Sequence, residues 1–291
     1  MQENTEELYI DPKNLPTTLK MVRWYFGTIG AYLPFLTKRI YWKLFTTPRE
    51  RKWLAKHDAL LSNASSYSMR NKKYEQEFVV HSFGEGSKKA LVLHGWEGRT
   101  LDFMKVIDGL QVKGYQVYGV DFPGHGKAAK SHASLPVFME TIQAVLKNEE
   151  FDLIVGHSLG AASLSLSLDG LKKKTKLVFL GLHPVPSKFV EQFKQIANAN
   201  ERTFQFCVKY GEKKLGVKIG ELDAHHHIDT FNQHDVLFIH DVNDSVINLS
   251  RVETFSKSIE SSELYTGDHG GHYAHFKHDD VVKKITMFSQ N

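Results

Sequence analysis

A chain of 291 residues with 41% hydrophobic and 24% charged residues has ordinary globular composition, so it can bury a sizeable core and is not a disordered polypeptide. The net charge of +4 is too modest to mark a nucleic-acid binder, and the single cysteine, Cys207, allows no intrachain disulfide. The start, Met1 to Glu7, is polar and acidic and lacks the chemistry of a secretory signal, so the expected location is the cytoplasm.

Residues 14–64 read as helical, with Pro34 and Pro48 as breaks. Between Lys20 and Lys56 stand nine Lys or Arg and one acid, Glu50, interleaved with aromatics such as Trp24, Phe26, Tyr32, Phe35 and Tyr41. The expectation is a helical N-terminal extension, residues 1–70, that packs its aromatics on the main domain. The same composition also suits peripheral contact with an anionic membrane through residues 20–56. The longest apolar stretch, Trp24 to Leu36, has 13 residues and contains Gly27, Gly30 and Pro34, too short for a spanning helix. Asn63 to Ser68 reads as a linker or turn.

Beyond it the pattern changes. Strands are predicted at Phe78–Phe83, Ala90–Leu93, Val117–Asp121, Leu153–Val155, Leu177–Leu180, Val236–Ile239 and Ser262–Tyr265, with helices near 101–112 and 134–146. Continuous apolar strands separated by helix-length segments predict an α/β fold over residues 71–291, a mostly parallel sheet covered by helices on both faces. About 50 residues separate the strand ending near Leu182 from the one starting at Asp235, more than one crossover helix needs. Residues 184–230 are therefore expected to form a short helical cap at the carboxyl edge of the sheet, where such folds bind ligands.

The pentapeptide Gly156-His157-Ser158-Leu159-Gly160 follows one buried strand and leads into a small-residue helix. A strand that ends in G-x-S-x-G and turns at once into a helix lifts the serine hydroxyl above the sheet, making Ser158 a candidate nucleophile. A serine hydroxyl needs a general base and a third group that holds the base. The loop after the strand at 236–239 offers Asp241 and Asp244, and the loop after 262–265 offers His269 and His272. Asp244 is the better placed acid, because Asp241 abuts the strand. His272 is the better placed base, because Gly270 and Gly271 let its loop approach the serine. Developing negative charge on a carbonyl oxygen needs backbone donors, expected from Leu159 and, after the turn at Gly95, from Trp96. His94 is expected to be structural.

The segments Leu93-His-Gly-Trp-Glu-Gly-Arg99, Asp121-Phe-Pro-Gly-His-Gly126, Gly156-His-Ser-Leu-Gly160, Asp244 and Gly271-His272 together resemble the α/β-hydrolase superfamily, most closely its small bacterial serine hydrolases of carboxylesterase or lipase type. The resemblance covers roughly residues 77–290 and implies a serine hydrolase that acts on a small-molecule acyl substrate and needs no cofactor. It implies a structural role for the Asp121 loop, and Phe45-Thr-Thr-Pro-Arg49 looks like a leader found on some bacterial members. A thioesterase, amidase or acyltransferase could use the same three residues, and a non-catalytic ligand-binding protein could keep the same fold. His225, His226 and His227 are consecutive and cannot all face one metal from a regular element, so they are not expected to be ligands. Cys207 is expected to be a small buried apolar residue.

Overall fold

The computed structural model describes residue 15 and residues 17–291. Residues 46–184 and 224–291 form one compact unit, and residue 15 and residues 17–45 join residues 185–223 in the other.

The larger unit is organised on an eight-stranded sheet: β1 (Ala64–Arg70), β2 (Glu77–Phe83), β3 (Lys88–Leu93), β4 (Tyr115–Asp121), β5 (Leu153–His157), β6 (Lys176–Leu180), β7 (Asp235–Asp241) and β8 (Ser262–Gly267). They lie in the order β1-β2-β4-β3-β5-β6-β7-β8. β2 pairs antiparallel with β1 and β4, and the other pairings are parallel. Each inner strand is apolar on both faces, and its alternate side chains enter two separate cores. Leu91, Leu93, Ile154, Leu177, Phe179, Val236 and Phe238 join one core, with residues from the helices Leu135–Asn148, Leu159–Ser165 and Leu249–Ser256. Ala90, Val92, Leu153, Val155, Val178, Leu180, Leu237 and Ile239 join the other, under the helices Met104–Val112 and Asp279–Phe288. The result is the predicted helix-sheet-helix sandwich.

Residues 64–70 depart from the linker expectation. They form β1, paired from Ala64 opposite Phe83 to Arg70 opposite Glu77. The strand is mostly exposed, so its Ser65, Ser66 and Ser68 show none of the apolar alternation that reveals a half-buried strand. The backbone ladder to β2 defines it, and a polar edge strand also discourages pairing with another chain.

The smaller unit is helical. Thr17–Gly27 and Pro34–Thr46 meet the insertion helices Pro186–Ala197 and Glu201–Leu215 around Phe26, Tyr41, Phe204 and Cys207. Phe193 packs edge-on against Phe26, Tyr41 and Phe45. The Arg23 guanidinium donates to the Gln195 and Ile196 carbonyls at 2.9 and 3.0 Å, closing the C-terminal end of its neighbour helix. Phe26 and Tyr41 thus face the insertion helices, where they pack in one cluster with Phe193 and Phe204. Cys207 is buried as expected, and burial pushes its thiol up to about 11.

Candidate active site

β5 ends at His157 and a helix begins at Leu159, so Ser158 makes the reversal alone, at φ 50° and ψ −117°. A side chain in that region strains the backbone, and such strain persists only where the surroundings impose it. The two glycines allow the imposition. A Cβ on Gly156 would lie 2.9 Å from Ala161 Cα, and one on Gly160 would lie 2.5 Å from the His94 carbonyl oxygen and 2.6 Å from that of Leu93. The helix is thereby pressed onto β5 and the end of β3. Gly160→Ala forces backbone against backbone and should destabilise the protein by about 3 kcal/mol, the upper range for an overpacked core. An unshifted unfolding midpoint in denaturant would remove this account.

The two downstream loops meet at the serine. The Ser158 hydroxyl lies 2.8 Å from His272 Nε2, and His272 Nδ1 lies 2.6 Å from Asp244 Oδ2. The other Asp244 oxygen accepts the N–H groups of Val246 and Ile247, each at 2.8 Å. Burial by itself would raise the Asp244 pKa. The His272 hydrogen bond and charge, with the two backbone donors, outweigh burial and hold the carboxyl below the usual carboxylate range. Both His272 and Asp244 are buried.

The competing residues have other work. Asp241 Oδ2 accepts the N–H groups of His269 and Gly271 at 2.6 and 3.0 Å, and its Oδ1 accepts from Asn243 at 2.7 Å, so this carboxylate braces the loop that carries His272. His269 Nε2 lies 3.0 Å from Asp280 Oδ2. His157 donates from Nε2 to the His272 carbonyl at 2.8 Å. Burial, reinforced by the neighbouring His272, lowers the His157 pKa to about 3, which keeps the ring neutral. Gly181, at φ 57°, lies under the His272 ring, and a Cβ there would come within 3.1 Å of Cε1.

The loop after β3 completes the arrangement. Gly95 serves as a point of close approach, since a Cβ there would lie 2.9 Å from Ser158 Cβ. The Trp96 N–H has no protein acceptor among the described residues. Leu159 is the first residue of its helix, where an N–H has no intrahelical acceptor. His94 is structural: its Nε2 accepts the Phe122 N–H at 3.2 Å and its Nδ1 donates to the Gly95 carbonyl at 2.7 Å. The buried Asp121 carboxylate accepts the N–H groups of Thr100 and Lys127, at 2.7 and 2.8 Å, and ties two loops to the end of β4.

Sequence reading missed one group here. Glu97, beside Trp96, is held at φ 56°. Its N–H donates to His125 Nε2 at 3.0 Å, and its carboxylate takes the Arg49 guanidinium in a two-pronged pair, 2.9 Å from Nε and 2.8 Å from Nη2, together with the Arg49 N–H. In the sequence the Phe45–Arg49 segment stands out by its resemblance alone. Its partner, 48 positions away, carried no local signal. His225, in the histidine run, packs edge-on against Phe255.

A family model described as the alpha/beta hydrolase fold matches residues 91–214. No curated protein sequence matches the chain. Among solved structures, it is similar to an esterase of Pyrococcus furiosus, at 18% identity and TM-score 0.58 over 84% of this chain and 97% of that one. It is also similar to an esterase of Exiguobacterium antarcticum, at 17% identity and TM-score 0.56 over 76% of this chain and 98% of that one. A thioesterase domain from the curacin biosynthetic pathway shares 14% identity and a TM-score of 0.54, over 78% of this chain and 99% of that domain. Strand order, matched sequence and structural likeness agree: this chain is an α/β-hydrolase-fold protein.

Proposed function

We propose that the protein is a serine hydrolase of carboxylesterase type that cleaves a carboxylic ester through an acyl-enzyme. The observation that carries the reading is the continuous hydrogen-bonded series from the strained Ser158 through His272 to the buried Asp244. Ser158 Oγ attacks the acyl carbon as His272 Nε2 takes its proton, and the imidazolium returns that proton to the departing alkoxide. Water, deprotonated by the same nitrogen, then releases the acid and regenerates the serine. Asp244 fixes the imidazole tautomer and stabilises its positive form. The N–H groups of Trp96 and Leu159 receive the negative charge that grows on the carbonyl oxygen.

The test uses a fluorophosphonate probe and a panel of esters and thioesters of graded acyl length. The expected result is covalent labelling of Ser158 in folded protein and turnover of esters in preference to thioesters. Preferred thioester turnover would move the assignment to the chemistry named for the curacin domain, and an unlabelled Ser158 would overturn the hydrolase reading.

On this reading Arg49 is a positioning residue. A non-glycine residue at positive φ costs roughly 1–2 kcal/mol, and Arg49 helps keep Glu97 there, which aims the adjacent Trp96 N–H. Arg49→Ala should lower kcat about tenfold with little change in KM. The melting temperature should barely move, because the guanidinium is 86% exposed and an exposed pair adds little stability. Steady-state kinetics beside a thermal melt checks this, and an unchanged kcat would remove Arg49 from the account.

A further inference from the structure

The two N-terminal helices sort their apolar residues onto two faces. Phe26 and Tyr41 turn inward to the insertion helices. Met21 and Trp24 on Thr17–Gly27, Tyr32 in the connection, and Phe35, Leu36 and Ile40 on Pro34–Thr46 turn outward. Trp24 is 61% exposed, Tyr32 85% and Phe35 58%, and they stand on one short segment together with the exposed Met21, Leu36 and Ile40. Leu36, Ile40 and Leu44 recur at the four-residue spacing of one helical face.

Charge on this segment has one sign. From Thr17 to Thr46 the sequence holds five cations, Lys20, Arg23, Lys38, Arg39 and Lys43, and no acid. Arg23 is engaged with the carbonyls of 195 and 196, and Lys38 lies over the rings of Phe35 and Tyr210 at 4.0 and 4.9 Å. Lys20, Arg39 and Lys43 are exposed and take part in no ion pair among the described residues. Two exposed cations thus flank the Leu36–Ile40–Leu44 stripe, and a third stands one turn from Trp24.

We infer that this face docks on an anionic lipid bilayer, with Trp24, Tyr32 and Phe35 seated at the headgroup level and Lys20, Arg39 and Lys43 on the lipid phosphates. Aromatic rings with a polar edge and aliphatic side chains favour that interface, and cations beside them are drawn by its negative surface potential. A second copy of the same face would set cation against cation, which argues against self-association. No helix among the described residues is long and apolar enough to cross a membrane, so the attachment is peripheral. The inference is independent of the reaction at Ser158.

The test is co-sedimentation of the full chain with vesicles of phosphatidylcholine alone and with increasing phosphatidylglycerol. Binding should rise with the anionic lipid and fall as salt screens it. The variant Arg39→Gln/Lys43→Gln should lose about 30-fold in partitioning onto the anionic vesicles, since each basic residue near such a surface contributes about fivefold. Trp24→Ser/Phe35→Ser should weaken binding on every vesicle. Hydrolysis of a soluble ester should be unchanged in both variants, because none of these residues belongs to the catalytic arrangement. If the aromatic variant fails to fold, the charge variant still decides, as both side chains are exposed and their one polar or ring contact among the described residues is Arg39 over the exposed Phe35 ring, 5.8 Å from its centroid. No sedimentation on any vesicle would overturn the inference, as would equal binding with and without phosphatidylglycerol. A dimer that dissociates in the aromatic variant while vesicles are ignored would also overturn it, by making the face a contact between copies.

Discussion

Ser158→Ala should lower kcat/KM on a p-nitrophenyl ester by at least about 10³-fold and abolish fluorophosphonate labelling. The alanine keeps the backbone reversal and removes one oxygen, together with a single hydrogen bond to His272 of 2.8 Å. That bond contributes about 1 kcal/mol, so the melting temperature should change little and a folded, inactive protein is the expected product. The sharper measurement is the double variant. If Ser158 and His272 act on one proton, Ser158→Ala/His272→Ala should be about as impaired as either single variant, since neither residue catalyses without the other. Multiplicative losses would mean that the two residues act separately, and a fully active Ser158→Ala would end the nucleophile assignment.

Asp244→Asn should cost about 10³–10⁴-fold in kcat/KM, for a reason that the backbone around it supplies. The N–H groups of Val246 and Ile247 point at Oδ1 and will keep an amide oxygen in that place. The amide NH₂ of the variant must then occupy the Oδ2 position, 2.6 Å from His272 Nδ1. A donor there turns the imidazole to the tautomer with its proton on Nε2, the nitrogen that faces Ser158. A protonated Nε2 cannot accept the serine proton. Because this effect concerns the base, probe labelling should slow in parallel with turnover. The wild-type carboxyl, held below the usual carboxylate range, stays ionised at neutral pH and avoids the problem. If Asp244→Asn kept normal activity while Asp241→Asn lost it without disturbing the fold, the two acids would exchange roles.

Much of this protein is written in local pattern. The inner strands are unbroken apolar runs because both faces of the sheet are covered, and the same fact makes them easy to find. Ser158 was legible because an elbow demands small residues on both sides of the nucleophile, a requirement that falls within five positions. The edge strand β1 was not legible, since a strand exposed on both faces carries no burial signal and is defined by its neighbour. Chain order narrowed the acid and the base to two candidates each, and the structure placed Asp244 and His272 in line with Ser158 while giving Asp241 and His269 partners elsewhere.

The remaining features join residues far apart in the chain. Glu97 and Arg49, His157 and the His272 carbonyl, and Phe26 and Phe204 are each adjacent because separate segments pack against one another. Which aromatic side chains of the N-terminal helices face inward and which face solvent was likewise beyond the sequence. Residues 17–46 are rich in aromatics all round, and only the packed insertion helices decide which face is covered. The sequence by itself determined the strands other than β1, the elbow serine and the order of the catalytic candidates, because each rests on periodicity or on sterics within a few residues. Tertiary structure alone decided the acid and base geometry, the clamp on the Trp96 loop and the exposed basic face, because those depend on contacts that no local pattern records.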